Sequence, residues 1–173
     1  MTQPLAWSHR ASEIPDAGLS ISRTATAAER LAIAQALDIV SCEVVTADYA
    51  VRPLGEARYR MSGRISARLT QCCVVTLAPI PQTLEEPFDI TFWPSGSLPH
   101  AGDAEAEVLS APEIESIEHG TIEAGRVLYE ILSASLDPYP RQAGARFEWE
   151  EPETIAEQSR TGPFASLKKL KDD

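Results

Sequence analysis

The sequence predicts an α+β domain: an antiparallel β-meander of three to four strands packed against two helices, with a long acidic loop and mobile termini. Three observations carry this. Ala57 to Leu77 alternates cleanly between apolar odd positions and polar even ones. Ser41 to Leu54 and the stretch around Phe88 to Phe92 alternate in the same way over shorter lengths. Residues 27–37 and 123–136 instead space their apolar side chains as helices do.

Taken in order, residues 1–16 read as an irregular entry with Trp7 as a packing anchor. Leu19 and Ile21 alternate with serines in a short strand. Thr26 and Glu29 have the spacing of a capping box, in which hydroxyl and carboxylate each satisfy a backbone N–H at a helix start. The helix they open is expected to place Ala27, Leu31, Ala34 and Leu37 on one side. In the strand 41–54, Val45, Ala47, Tyr49 and Val51 share a face, and Pro53 to Glu56 supplies a hairpin turn.

The long strand that follows has Tyr59, Met61, Ile65, Ala67, Leu69, Cys73, Val75 and Leu77 on its apolar side. Gly63 interrupts that side and predicts a bulge or a tight bend. The chain is expected to break at Ala78 to Pro81 before a last strand with Phe88, Ile90 and Phe92 inward. Residues 103–119 are acidic and interrupted by Pro112, which predicts a surface loop with scattered apolar anchors. The second helix carries Ala124, Val127, Leu128, Ile131 and Leu132 and stops before Pro138. The domain is thus expected over 17–141, followed by a charged tail, 142–173, with a short terminal helix carrying Phe164, Leu167 and Leu170.

The chain of 173 residues has 43% hydrophobic content, enough for a core, and a net charge of −11. Acidic balance argues against general nucleic-acid affinity, which needs Lys and Arg. The charge is unevenly spread, however: Arg52, Arg58, Arg60, Arg64 and Arg68 stand against Glu56 alone in 52–70. No apolar run suits a bilayer span or a secretory signal, and three cysteines make no disulfide framework, so membrane insertion is not expected and a cytoplasmic location is.

Enzyme signatures are missing: the sequence has no glycine-rich phosphate loop, no HExxH and no GxSxG, so a non-enzymatic protein is expected. His9, His100 and His119 fall in predicted surface loops without ligand spacing. Cys42, Cys72 and Cys73 read as structural, and neither a metal nor a cofactor is expected. The arginine row is the feature that can carry function. Arginines two or four residues apart on a strand lie roughly 7–14 Å apart, a spacing that follows an RNA backbone. Arg58, Arg60, Arg64 and Arg68 are therefore the candidate RNA contacts, against the plainer reading of a solvated face paired with the protein's own acids. Tyr59 falls on the opposite side, so base stacking beside the arginines is not expected.

Gly63 to Leu69, GRISARL, leads into Thr70 to Leu77, TQCCVVTL. This resembles the strand of the YceD family, the large ribosomal RNA subunit accumulation proteins. Cys73 stands at the first cysteine of the family's Cys-x-Arg-Cys-Leu element, and Cys73 to Leu77 is similar to the CVVTL form of its alphaproteobacterial branch. Glu86-Pro87-Phe88 fits the next segment, and Ile122 to Leu136, with Glu130, resembles a family helix. Leu136 to Arg141 matches LDPYPR, including Pro138 and Pro140, and Gly162 to Leu170 resembles the NPFAxL tail. Two departures matter. Thr76 replaces the second cysteine, and no cysteine follows near Pro138, so the metal site suggested by paired cysteines in some relatives is not carried over. The resemblance implies a non-enzymatic role in accumulation of the large-subunit ribosomal RNA, with that RNA or a ribosomal protein as partner. The alternative is an adaptor holding a basic ribosomal protein, or a lipid-synthesis partner, on acidic residues within 103–123.

Overall fold

The computed structural model describes residues 3–97 and 113–147. The chain divides into two compact units, Met1–Gln142 and Ala143–Asp173, and the fold below is that of the first. The acidic stretch 98–112 and the expected terminal helix in 148–173 lie outside the described residues.

Seven strands and two helices follow in order: β1 (His9–Arg10), β2 (Leu19–Thr24), α1 (Ala27–Ala36), β3 (Ser41–Gly55), β4 (Arg58–Cys72), β5 (Pro79–Pro94), β6 (Glu113–Ile117), β7 (Thr121–Ile122) and α2 (Ala124–Ala134). Strands β2, β3, β4 and β5 form an antiparallel meander, as the alternation implies. β6 then adds to β5 in parallel, so the main sheet has five strands rather than three or four. The expected acidic loop is therefore a strand from Glu113 onward. β1 and β7 make a separate two-stranded pair.

Both helices contribute to one core on one face of the sheet. Ile33 from α1 and Val127, Leu128 and Leu132 from α2 join Val45, Ala47, Tyr49 and Val51 of β3, Met61, Ile65, Ala67 and Leu69 of β4, and Phe88, Ile90 and Phe92 of β5. The capping box forms as its spacing predicts, with the Thr26 hydroxyl accepting from the Glu29 amide and the Glu29 carboxylate accepting from the Thr26 amide. The expected packing side of α1 holds only in part: Ala34 is buried and Leu37 packs on the core, but Leu31 is 60% exposed and Ile33 is buried instead. An alanine-rich helix gives little periodic contrast from which to read its facing.

Gly63 is not a bulge. It pairs with Tyr49 on one side and Phe88 on the other without a break in register; the bulges lie in β3, at Cys42/Val44 and Pro53/Gly55. What Gly63 provides is room, since a Cβ there would lie 2.2 Å from the Asp48 carbonyl oxygen and 2.5 Å from Tyr49 Cα. The Tyr49 ring packs near Phe88, and its hydroxyl meets His9 Nε2 at 2.7 Å. Burial pushes the Tyr49 phenol up to about 12. His9 is thus a half-buried strand residue and not the surface-loop histidine expected. Burial, and then the charge of Arg23, lower its pKa.

β5 begins at Pro79, within the expected break and nine residues before Phe88, and runs through Pro81 and Pro87. These three prolines have the same parity, so their missing N–H groups fall on one side of the strand. β6 pairs β5 only from Ile90 onward, which leaves the earlier part of that edge without a strand partner among the described residues, where proline is tolerated. The N-terminal segment is less irregular than expected: Leu5 and Trp7 are buried. Trp7 accepts a hydrogen bond from the Gly125 amide at 2.6 Å, and a Cβ at Gly125 would sit 2.2 Å from the Leu5 carbonyl oxygen.

Gly63→Ala is expected to destabilise the domain by about 2–4 kcal/mol, because backbone must move to admit the methyl group. Ser62→Ala, on the open side next to it, is expected to be near neutral. Chemical denaturation of the two variants checks the contrast.

Candidate nucleic-acid interface and the cysteine turn

No element packs on the second face of the sheet among the described residues, and register assigns its occupants. Even-numbered side chains of β4 point there: Arg58, Arg60, Ser62, Arg64, Ser66, Arg68 and Thr70. Beside them stand Asp48 and Arg52 from β3 and Glu85, Asp89 and Trp93 from β5.

The arginines do not form a bare cationic ridge. Arg60 donates to Asp89 through Nε at 2.7 Å and through a second, shorter bond from Nη2. Those hydrogen bonds raise the Arg60 pKa and lower that of Asp89. Arg64 Nη1 lies 3.0 Å from Glu85 Oε2, and Arg58 Nη2 lies 3.0 Å from Glu56 Oε2. Arg52 and Arg68 make no ion pair among the described residues. The Arg68 charge does act on Glu43, as the smallest of several effects, led by the Ser41 hydroxyl, that hold that carboxyl below its usual value. Exposed pairs of this kind contribute little to stability and are readily exchanged.

The face also carries an aromatic ring that the sequence reading did not single out: Trp93 stands opposite Arg58, whose guanidinium carbon lies 4.2 Å from the ring centroid. The ring is capped by that guanidinium. Tyr59 is on the core side as expected, its hydroxyl donating to the Ala11 carbonyl at 3.1 Å.

A second constellation forms where β4 ends. The strand stops at Cys72, and Val74–Thr76 is a turn, so the expected continuation to Leu77 fails. Leu77 takes a left-handed conformation (φ 59°), and its amide bonds back to the Cys73 carbonyl at 2.9 Å. The Val74 amide donates to the Pro140 carbonyl at 2.9 Å, and Gln71 Nε2 donates to the Asp137 carbonyl at 3.0 Å. The Cys73 sulfur, with no exposed surface, accepts from the amides of Thr76 at 3.5 Å and Gln142 at 3.4 Å.

The turn holding Cys73, Thr76 and Leu77 is therefore laced to the segment holding Pro138 and Pro140. Pro140 is buried, whereas Pro138 is exposed and Leu77 is 75% exposed. Glu130 belongs elsewhere, on α2, where Arg126 Nη1 donates to it at 2.8 Å and also reaches Glu115 through Nη2. The sequence singled out neither Gln71 nor Asp89 and Glu85. A buried glutamine in the apolar register of β4 was the available signal for the first; strand pairing was needed for the others.

The family model described as "Large ribosomal RNA subunit accumulation protein YceD" matches residues 61–171. The chain belongs to the YceD family. The match begins at Met61, so it takes in Arg64 and Arg68, the cysteine turn, α2 and the segment through Pro140, while Arg52, Arg58 and Arg60 lie before it. No curated protein and no solved structure matches the chain. Among the described residues no group of three or more His, Cys, Asp or Glu is arranged to hold a metal, and no helix is long and apolar enough to cross a membrane.

In this family member, hydrogen bonds at Cys73 have an electrostatic consequence. The Thr76 hydroxyl first, then the Gln142 and Thr76 amides, pull the thiol from 9.0 down to about 6 against the opposing effect of burial. The folded state thus binds the thiolate where the unfolded chain is still protonated. Stability from this site is complete above the unfolded thiol's pKa and is lost as pH falls through about 6. The stability difference between wild type and Cys73→Ser is expected to widen from pH 6 to 9 and to stay level below pH 6. Denaturation midpoints across that range check the sign.

Proposed function

We propose that this protein supports accumulation of the large-subunit ribosomal RNA by gripping RNA phosphates along the open face of its sheet, as a non-enzymatic cytoplasmic factor. The observation that carries the reading is the arginine row itself: four guanidinium groups on one uncovered strand face, with Arg52 beside them, in a family named for accumulation of that RNA. Arg68 is the first contact, since it makes no ion pair among the described residues. Arg60 and Arg64 join by exchanging a carboxylate for a phosphate, a swap between two charge-assisted bonds of similar kind. Arg58, held over Trp93, acts as the fixed end of the row. Contacts to phosphate position RNA without reading its sequence, so the grip is shape- and charge-based.

The second reading is an adaptor that holds a basic ribosomal protein or a lipid-synthesis partner on acidic surface. Glu115, Glu118 and Glu123 around one cavity of about 350 Å³ favour it, although Glu115 is already engaged by Arg126.

The two readings part on simple variants. If the row binds phosphate, Arg68→Ala lowers the salt slope of binding to large-subunit ribosomal RNA by about one unit, and Asp89→Asn with Glu85→Gln tightens binding by releasing Arg60 and Arg64. RNA binding that ignores all three substitutions, or that is absent at low salt, removes the direct-contact reading. Electrophoretic or fluorescence titrations over a range of salt make the measurement.

A further inference from the structure

The end of the sheet away from the β3–β4 hairpin holds a cleft of about 460 Å³, distinct from the arginine face. Ile39 follows α1, Gln71 ends β4, Val74 lies in the cysteine turn and Leu136 follows α2, and together they line it. Three independent features meet there.

The first is apolar exposure. Val40, Val74, Leu77 and Tyr139 are exposed at 58%, 47%, 75% and 72%. All four come from segments that line or adjoin this one cleft, whereas isolated apolar side chains elsewhere are ordinary. Grouped exposure of this sort marks an interaction surface.

The second is charge. Both α1 and α2 end at this cleft, and a helix C-terminus carries partial negative charge on its unpaired carbonyls. Asp38 and Asp137 add two carboxylates to the lining, and neither forms an ion pair among the described residues. Arg141, the nearest cation along the chain, is not part of the lining.

The third is an orphaned acceptor. Gln71 is 7% exposed, and its amide orientation is set by Nε2 donating to the Asp137 carbonyl, which can only accept. Its buried Oε1 has no donor among the described residues. A buried acceptor left without a partner is unfavourable, and the cleft it lines is otherwise rich in acceptors and poor in donors.

We infer that this cleft docks a basic segment of a partner protein, a lysine or arginine flanked by apolar side chains. The cation meets Asp38, Asp137 and the two helix ends, and a donor becomes available to Gln71. The apolar flanks cover Val40, Val74 and Tyr139. Nucleic acid is the wrong occupant here, because its phosphates would face carboxylates and helix carbonyl ends. The inference is independent of whether the arginine face holds RNA.

The test uses the full ¹⁵N-labelled chain and three short synthetic peptides: one of alternating lysine and leucine, one with serine in place of leucine, and one with glutamate in place of lysine. The lysine–leucine peptide is expected to move the amide signals of Val40, Gln71, Val74 and Tyr139 at concentrations where the other two do not. Asp38→Asn together with Val74→Ser is expected to weaken that binding about tenfold, as loss of central contacts does. Asparagine suits the left-handed backbone of Asp38 (φ 52°), so that variant keeps its fold. Tyr139→Ser supplies a second variant. An equal response to the lysine–serine peptide, signals moving mainly elsewhere, or no response overturns the inference. So do cleft signals that shift with protein concentration alone, which would assign the surface to a second copy. RNA titration of the same variants is expected to be unchanged, which keeps this result separate from the arginine face.

Discussion

Strand β4 is hydrogen-bonded along its length by β3 on one side and β5 on the other, and most of the domain follows from that double pairing. A strand opposed on both sides cannot slip by one residue without exchanging its faces, so its parity becomes the parity of the sheet. Odd residues of β3 and β4 and even residues of β5 face the core with α1 and α2, while the alternate residues form the open face. Gly63 lets the three strands keep this register where the Tyr49 backbone approaches most closely. The same parity that gathers the arginines also delivers Asp89, Glu85 and Asp48 beside them. The open face is therefore a lattice of opposite charges, and its cationic character depends on which pairs a ligand exchanges.

Much of this was legible along the chain. The alternation of β3 and β4, the capping box of Thr26 and Glu29, and the span of α2 are local patterns, and local physics produced them. What was hidden is non-local. Pro79, Pro81 and Pro87 look like breaks until the unpaired side of β5 is known. β6 pairs in parallel with the strand just before it, and its sequence, EIESI, carries no sign of that orientation. CVVTL reads as strand, yet Pro140 draws Val74 into a turn from the far side of α2. The candidate site divides in the same way. Which face the arginines occupy was readable from period two, but their acids lie 21 and 29 residues away and emerge only from cross-strand register.

In the cysteine turn, two segments far apart along the chain are joined by hydrogen bonds to one side chain. Backbone amides from both segments converge on a single sulfur, and the same bonds lower the pKa of its thiol. Thr76, standing where some relatives carry a cysteine, contributes its hydroxyl to the same sulfur.

The contact between Leu5, Trp7 and Gly125 also has a temporal meaning. A ribosome releases this chain from its N-terminus, so Leu5 and Trp7 emerge long before the helix whose first turn they cross. Until α2 has been synthesised, two buried side chains of the finished domain lack the helix they pack beside. The meander from β2 to β5 can assemble from near neighbours as it emerges, but the opening segment must wait and close over a long loop. In this protein residues made well before α2 must wait for it to be placed.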